Sequence, residues 1–104
     1  MPLKIILSTI DKEHSQKLAS DLVHKHLAAC VNIIGPLRSI YVWQDEVCDD
    51  EEYMLLIKTT QERADDCFQY IKDNHPYDVP EIVEMQSQRV LESYLQWAQD
   101  MCST

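Results

Sequence analysis

Two long arms of strand-forming residues, joined by a short polar segment, constrain this chain more than any other part of its sequence. The arms run from Cys30 to Trp43 and from Val47 to Thr60, with Gln44-Asp45-Glu46 between them. Both arms are rich in Val, Ile, Tyr and Trp, which pack well on a pleated surface. Each arm is about twice as long as the usual strand of about 5–6 residues. The sequence therefore predicts a long β-hairpin that turns at the polar segment.

Gly35 and Pro36 interrupt the first arm. Because proline cannot donate to a strand ladder and glycine tolerates unusual backbone angles, we expect a bend or bulge there, on an edge strand. A hairpin of this length extends beyond the core of a small domain, and a two-stranded ribbon alone is marginally stable in water. We therefore expect the distal half, Ile40 to Glu51, to lie on another subunit.

Length and composition restrict the class of protein. The chain has 104 residues, enough for one core and too few for two, so we predict a single domain over residues 1–104. No run of about 18 apolar residues is present, and the short apolar start is too brief for a signal peptide, so we expect a cytoplasmic protein with no membrane partner. The net charge of −9 argues against a nucleic-acid partner and is compatible with cations.

The cysteines and the acidic run are also informative. None of the four cysteines forms a C-x-x-C pair, so we expect independent reduced thiols rather than a zinc knuckle or a disulfide framework. The only charge run, Asp49 to Glu52, lacks the spacing of a calcium-binding loop, and we interpret it as a solvated hairpin tip.

Hydrophobic periodicity and capping signals predict the remaining elements. Before the hairpin, we predict a central strand over Leu3–Thr9 and a helix from the N-cap Asp11 to near Ala28-Ala29. After the hairpin, we predict a second helix from the capping box Thr59-Thr60-Gln61-Glu62 to a left-handed C-cap at Asn74. A strand over Glu81–Met85 and a helix from Val90 to the C-terminus complete the prediction.

The resulting order, β-α-β-β-α-β-α, predicts an α+β fold of the ferredoxin-like split β-α-β type. Right-handed crossovers would place the first two helices on one face of the sheet. Ile5, Ile6 and Leu7 are apolar at successive positions, so the predicted strand is apolar on both faces. The face without helices would then be an apolar patch larger than monomers usually expose. We therefore expect an obligate homo-oligomer, and a closed ring would remove the exposed sheet edges.

Several motifs in order resemble the CutA family of divalent-cation tolerance proteins. They are Leu27-Ala28-Ala29-Cys30-Val31-Asn32, Tyr41-Val42-Trp43, Ile57-Lys58-Thr59, His75-Pro76-Tyr77-Asp78-Val79-Pro80-Glu81-Ile82 and Tyr94-Leu95-Gln96-Trp97. The resemblance extends from about Ser8 to Trp97. It implies a ferredoxin-like trimer with clefts between subunits, similar in architecture to PII-like signalling proteins. It also implies a link to copper tolerance, with copper binding in some members.

Three positions depart from the family pattern. Asp45 stands where the family usually has glycine in the hairpin turn. Gln86 and Val90 stand where it usually has proline after the fourth strand and glycine before the last helix. The turn geometry and the start of the last helix are therefore expected to differ locally.

Three residues are candidate metal ligands. His75 follows the second helix, whose C-terminal dipole favours positive charge, and Pro76 biases it to an extended conformation. Cys30 offers a thiolate, and thiolate with imidazole suits copper or zinc. Glu81 could ligate a metal or pair with Lys58. A structural alternative stays open for each residue. His75 could be a turn histidine that bonds carbonyl groups, Cys30 a buried thiol, and Glu81 the partner of Lys58 in a salt bridge.

A second set of residues suits an anionic ligand. Lys58 precedes the second helix, where free amide groups can bind an anion, and Thr59 and Tyr77 complete this candidate cleft site. Tyr41, Trp43 and Tyr53 are large aromatic residues that we assign to the trimer interface rather than to a ligand cage. These three are not assigned any role in chemistry.

The chain contains no glycine-rich phosphate loop, H-E-x-x-H motif or nucleophile motif, so we predict that it is not an enzyme and needs no obligatory cofactor. The favoured hypothesis is a homotrimeric cytoplasmic protein of divalent metal tolerance that binds copper or another divalent cation. Two alternatives are a PII-like sensor with an anionic ligand between subunits and a purely structural trimerisation module.

Overall fold

The computed structural model describes residues 2–103 of the chain as a four-stranded antiparallel sheet with three helices. The elements are β1 Leu3–Ile10, α1 Lys12–His24, β2 Cys30–Trp43, β3 Glu46–Thr60, α2 Ala64–Asn74, β4 Val83–Gln86 and α3 Glu92–Cys102. The strand order is β2-β3-β1-β4, so β3 and β1 are central and β2 and β4 are the edges. This is the predicted α+β, ferredoxin-like arrangement. None of the described helices is long and apolar enough to cross a membrane.

The long hairpin is present, and its turn is tighter than predicted. Trp43 pairs with Glu46, which leaves Gln44 and Asp45 as a two-residue turn. Both turn residues have positive φ angles, 51° and 66°, as the mirror-image hairpin turns require. Asp45 provides the left-handed conformation that the family usually obtains from glycine, because aspartate tolerates that region better than most side chains.

The interruption in the first arm is the expected bulge on an edge strand. The register between β2 and β3 shifts between Ile34 and Leu37. Gly35 is the only glycine in the chain, and the ring of Tyr53 lies directly over it. A Cβ atom at Gly35 would stand 2.5 Å from Cδ2 of Tyr53, so this close approach excludes any side chain.

One face of the sheet is covered by α1 and α2, as predicted. The core between these layers contains strand residues Ile6, Ile10, Leu55 and Ile57, and helix residues Leu18, Leu22, Cys67 and Ile71. Each of these side chains is buried, and alternation along β1 and β3 directs the intervening residues to the other face.

The opposite face is only partly covered. At one end α3 packs through Ala98 and Cys102 on Leu3 and Ala29. The remaining apolar residues of this face are half-buried or exposed, and we call them the open face: Ile5, Leu7, Ile34, Met54, Leu56, Val83 and Met85. The sheet is therefore apolar on both sides, and the helices of one chain cover one side and part of the other.

The predicted end of the first helix is wrong. The helix ends at His24, not near Ala28-Ala29, because His26 adopts a left-handed φ of 59°. The amide of His26 donates to the carbonyl of Val23 and the amide of Leu27 donates to that of Leu22, each at 3.0 Å. These two bonds form a Schellman motif, which stops the helix while the apolar stripe continues in the following turn.

Both predicted caps of the second helix are also wrong. The helix begins at Ala64 rather than at the capping box, because Thr59 and Thr60 remain paired with β1 and the Thr59 hydroxyl donates to the carbonyl of Leu27 at 2.6 Å. Asn74 is the last helical residue and is not left-handed. Its side-chain amide instead donates to the carbonyl of Tyr70 at 2.9 Å.

The last strand and helix start later than predicted. The fourth strand spans Val83–Gln86 rather than Glu81–Met85 and pairs with β1 from Leu7 to Lys4. Further along β1, the carbonyl of Thr9 accepts a hydrogen bond from His75 instead. The last helix begins at Glu92, and Val90 packs against the cluster under α3 without being helical. Gln86, one of the departures from the family pattern, accepts a hydrogen bond from the Lys4 ammonium at 3.1 Å.

We predict that Ser8→Ala raises the free energy of unfolding by about 1 kcal/mol, since a buried hydroxyl without a partner is destabilising. Ser8 Oγ lies in the core and has no hydrogen-bond partner in the described part of the chain. Denaturant unfolding measures the change. Ser15→Ala is the matched control, because the buried Ser15 hydroxyl donates to the carbonyl of Lys12 at 2.8 Å. An equal gain in both variants would contradict this explanation.

Candidate functional site

An open cleft of about 830 Å³ lies between the hairpin and the segment before β4. We call it the acidic cleft. Its walls carry five carboxylates, from Asp50, Glu51, Glu52, Asp78 and Glu81. They also carry three large aromatic side chains, from Tyr41, Trp43 and Tyr77. No lysine, arginine or histidine lines it among residues 2–103, so its electrostatic potential favours cations.

Glu52 forms the buried end of this cleft. The residue is 7% exposed, and its Oε2 accepts a hydrogen bond of 2.9 Å from the hydroxyl of Tyr77. Burial, followed by this bond to Glu52, raises the pKa of Tyr77 above its usual range. The phenol therefore stays protonated and holds the carboxylate in a fixed position.

Tyr41 and Asp50 form a similar pair nearer the hairpin tip. The Tyr41 hydroxyl donates to Oδ2 of Asp50 across the two strands. This hydrogen bond is the main cause that raises the pKa of Tyr41 to about 12. Each phenol of the cleft thus orients one carboxylate.

His75 lies buried beneath the cleft with both ring nitrogens engaged. Its Nε2 donates to the carbonyl of Thr9 at 2.9 Å, and its Nδ1 accepts from the amide of Tyr77 at 3.2 Å. The two contacts fit the tautomer with the proton on Nε2, since a carbonyl can only accept and an amide N–H can only donate. To ligate a metal, His75 would have to release one of these contacts.

Cys30 and Lys58 are cross-strand neighbours at the other end of the sheet. The Lys58 ammonium contacts Oδ1 of Asn32 and lies 4.0 Å from Sγ of Cys30. Tyr94 of α3 covers this thiol, and burial together with the contact to Cys30 raises the pKa of Tyr94. The Thr59 side chain is fully buried and its hydroxyl is used in the bond to Leu27.

A single chain does not bring the predicted ligand residues together. Thr9, which His75 contacts, pairs with Met54, four residues along β3 from the partner of Cys30. That offset corresponds to about 14 Å at about 3.4 Å per residue. Glu81 lines the acidic cleft on the His75 side. Tyr77 is likewise separated from Lys58 and Thr59, so neither candidate set forms a site within a single chain.

The described part of the chain contains one group of three potential ligands that sequence reasoning missed. Asp11, Glu13 and His14 hold their ligand atoms within 4.8 Å of one another at the start of α1. His14 Nδ1 lies 3.0 and 2.8 Å from the two oxygens of Asp11. The positive end of a helix dipole opposes a bound cation, and His14 is exposed. We assign this group to a surface contact between His14 and Asp11.

The predicted interface aromatics are in two different environments. Tyr41 and Trp43 lie on the wall of the acidic cleft and are 42% and 46% exposed. Tyr53 is half-buried on the helix side of the sheet, where its ring covers Gly35 of its own chain. Their role in subunit contact stays a prediction.

The interpretation of Asp49 to Glu52 as a solvated tip is wrong for Glu52. Asp50 and Glu52 point to one face of β3 and Asp49 and Glu51 to the other, as strand alternation requires. The loop before β4 then covers Glu52 through Tyr77. The alternation was available from the sequence, whereas the covering loop was not.

We predict that Asp50→Asn lowers the pKa of Tyr41 from about 12 toward the usual 10, measured by phenolate absorbance during alkaline titration. Because the folded-state pKa is raised, this contact contributes stability below pH 10 and loses it as the pH rises through about 12. Asp49→Asn is the control, since Asp49 pairs with Arg38 outside the cleft. An unchanged tyrosine titration in Asp50→Asn would contradict the assignment.

Comparison with known proteins gives a consistent result over nearly the whole chain. The profile of the family described as CutA1 divalent ion tolerance protein matches residues 4–101. A Thermus thermophilus protein named divalent-cation tolerance protein CutA is 41% identical over 98 residues, which are 93% of this chain and 95% of the relative. A chloroplastic CutA protein of Arabidopsis thaliana is 36% identical over 93% of this chain, which spans only 54% of that relative.

Solved structures show the same architecture. The CutA1 protein of Ehrlichia chaffeensis superposes with a TM-score of 0.94 at 27% identity, covering 98% of this chain and 96% of that one. A protein described as PII-like CutA from Nostoc sp. PCC 7120 superposes with a TM-score of 0.91 at 33% identity, covering 96% of this chain and 97% of that one. The fold is therefore similar both to CutA1 structures and to one described as PII-like.

Proposed function

Because the chain belongs to the CutA1 family of divalent ion tolerance proteins, we propose that it acts as a homotrimeric, non-enzymatic protein of the cytoplasmic response to divalent cations, copper among them. The observation that carries this proposal is the apolar open face, and the candidate ligands Cys30 and Glu81 stand next to its two edge strands.

The open face supports assembly. Its residues are apolar and half-buried or exposed in a single chain, and monomeric proteins rarely expose contiguous apolar patches larger than a few hundred Å². The distal hairpin adds Ile40, Val42 and Val47, each at least 67% exposed. A ring of copies in which each hairpin lies on its neighbour would bury both surfaces.

The strand order indicates how copies would meet. Cys30 begins the edge strand β2, and Glu81 precedes the opposite edge strand β4. A closed ring needs a contact between two different surfaces of each copy, and the two open sheet edges, β2 and β4, offer such a pair. We therefore propose that Cys30 of one copy and His75 with Glu81 of the next form a shared metal site, which no single chain contains.

We predict that Leu56→Glu converts the trimer into monomers, because it places a charge in the middle of the open face. Light scattering at micromolar concentration measures the molar mass. Val23→Glu is the control, since Val23 is an exposed apolar residue of α1 outside that face. A folded wild-type protein that is monomeric under these conditions would contradict the assembly and the shared site together.

We predict that copper or zinc binds the wild-type protein at least tenfold more tightly than a Cys30→Ser/His75→Ala variant, since thiolate and imidazole suit these metals. Calorimetric titration with a reductant that does not bind metal provides the measurement. Cys48→Ser is the control, because this thiol lies near the hairpin tip, where it donates to the carbonyl of Glu46. Circular dichroism checks folding, because His75→Ala removes two buried hydrogen bonds. Equal affinities would remove Cys30 and His75 from the site.

The PII-like structural neighbour favours one second candidate function, a sensor of an anionic ligand. Lys58 would provide the charge, and the Tyr77 of a neighbouring copy would border the same cleft. Thr59, which the sequence suggested for this site, is buried with its hydroxyl engaged by Leu27. A thermal-shift screen with nucleotides and small anions separates this candidate from the metal hypothesis, since a bound ligand stabilises the native state. If neither metals nor anions bind, a structural trimerisation module is the hypothesis that stands.

A further inference from the structure

We propose that a metal ion binds His75 through its Nδ1 atom and that Tyr77 must first move away from this atom. This role of Tyr77 depends on the metal site proposed above, in which His75 is a ligand. Both residues belong to residues 75–82, which lie between α2 and β4 and form neither helix nor strand. We call this segment the His75 loop.

The hydrogen bonds of His75 leave Nδ1 as the nitrogen that suits a metal. Nε2 donates to the carbonyl of Thr9 at 2.9 Å, so it holds the ring proton and Nδ1 keeps its lone pair. Histidine ligands of metals commonly donate their other ring N–H to a carbonyl group in this way, which fixes the tautomer and the orientation of the ring. His75 therefore fits an imidazole ligand that binds through Nδ1, and no proton has to move.

The two contacts of His75 also differ in how firmly they are held. Thr9 is buried in the central strand β1 and pairs with Met54 of β3, so the sheet fixes its carbonyl. The amide of Tyr77 lies 3.2 Å from Nδ1, which is longer than the bond to Thr9, and it belongs to the irregular His75 loop. The contact with Tyr77 is therefore the one that a metal would replace.

Tyr77 covers His75 with its side chain as well as with its amide. The two rings are in edge contact, with centroids 4.6 Å apart and planes inclined at 68°. The Tyr77 hydroxyl donates to Oε2 of the buried Glu52 at 2.9 Å, which anchors the ring to β3. The amide occupies the lone pair that a metal needs, and the bond to Glu52 opposes the movement that would free it.

This anchoring has a consequence for affinity. A site whose binding-competent conformation is only partly populated has an apparent affinity reduced by that populated fraction. The bond between Tyr77 and Glu52 stabilises the closed conformation of the His75 loop, so it lowers the affinity of His75 for a metal. Weakening this bond should therefore tighten metal binding.

The first test uses nuclear magnetic resonance of the full chain in its native oligomer, with ¹⁵N-labelled histidine and added zinc. The nitrogen shifts report which ring atom binds the ion, and His75→Gln identifies the resonances of His75 among the four histidines. We expect zinc to shift Nδ1 of His75 while Nε2 stays protonated.

The second test is calorimetric titration of Tyr77→Phe with zinc, which should bind about threefold or more tightly than to the wild type. Phenylalanine keeps the ring and the amide but removes the bond to Glu52. Should this variant fail to fold, Glu52→Gln replaces it, since a neutral acceptor weakens the same bond and gives a smaller increase. Tyr70→Phe is the matched control, because the Tyr70 hydroxyl lies 3.5 Å from a carboxylate oxygen of Asp21 on α1. It should leave zinc affinity unchanged.

The outcomes separate this role of Tyr77 from the metal site on which it depends. Zinc bound through Nε2, unchanged affinity in the Tyr77 or Glu52 variant, or an equal increase in Tyr70→Phe would overturn the role of Tyr77 and leave the metal site in place. Equal zinc affinity of the wild type and the Cys30→Ser/His75→Ala variant would instead overturn the metal site, and the role of Tyr77 with it.

Discussion

The antiparallel pairing of β3 with both β1 and β2 is the constraint on which the rest of the structure depends. It fixes which side chains of β3 face the helices and which form the open face, since side chains alternate along a strand. A slip of one residue would move Leu55 and Ile57 out of the core and expose them. The same register holds Lys58 beside Cys30 and brings Glu52 beneath the loop that carries Tyr77.

Two departures from the simplest local structure follow from this pairing. Thr59 and Thr60 have the sequence of a helix cap, but the ladder with β1 retains them. The helix α2 therefore starts at Ala64, four residues later than a helix capped by Thr59 would start. Gly35 leaves space for the ring of Tyr53, so the bulge and the aromatic contact occur together at the edge strand. In both places a long-range contact outweighs a local preference. At Thr59 and Thr60 several ladder hydrogen bonds outweigh a single capping bond, and at Gly35 a large apolar contact with Tyr53 outweighs regular strand pairing.

The acidic cleft combines groups that are distant in sequence. Phenol hydroxyls orient two carboxylates, and no basic residue in the described chain neutralises the wall that they form. Such a wall attracts cations but does not by itself select a metal ion, which needs converging ligands. The thiol and imidazole that would suit copper lie at the two ends of one sheet, so a shared site requires two copies. In the function that we propose, assembly and metal binding therefore both depend on the open face.

The sequence by itself determined the element order, the long hairpin, the bulge at Gly35 and the two-sided apolar character of the sheet. These features depend on local periodicity and on residue types whose backbone preferences are strong. Only the tertiary structure decided where the helices end, that His75 is fully hydrogen-bonded, and that Glu52 is buried while its neighbours in the acidic run are exposed. The physical reason is that burial and hydrogen bonding of a side chain depend on partners such as Thr9 and Tyr77, which sequence spacing does not place.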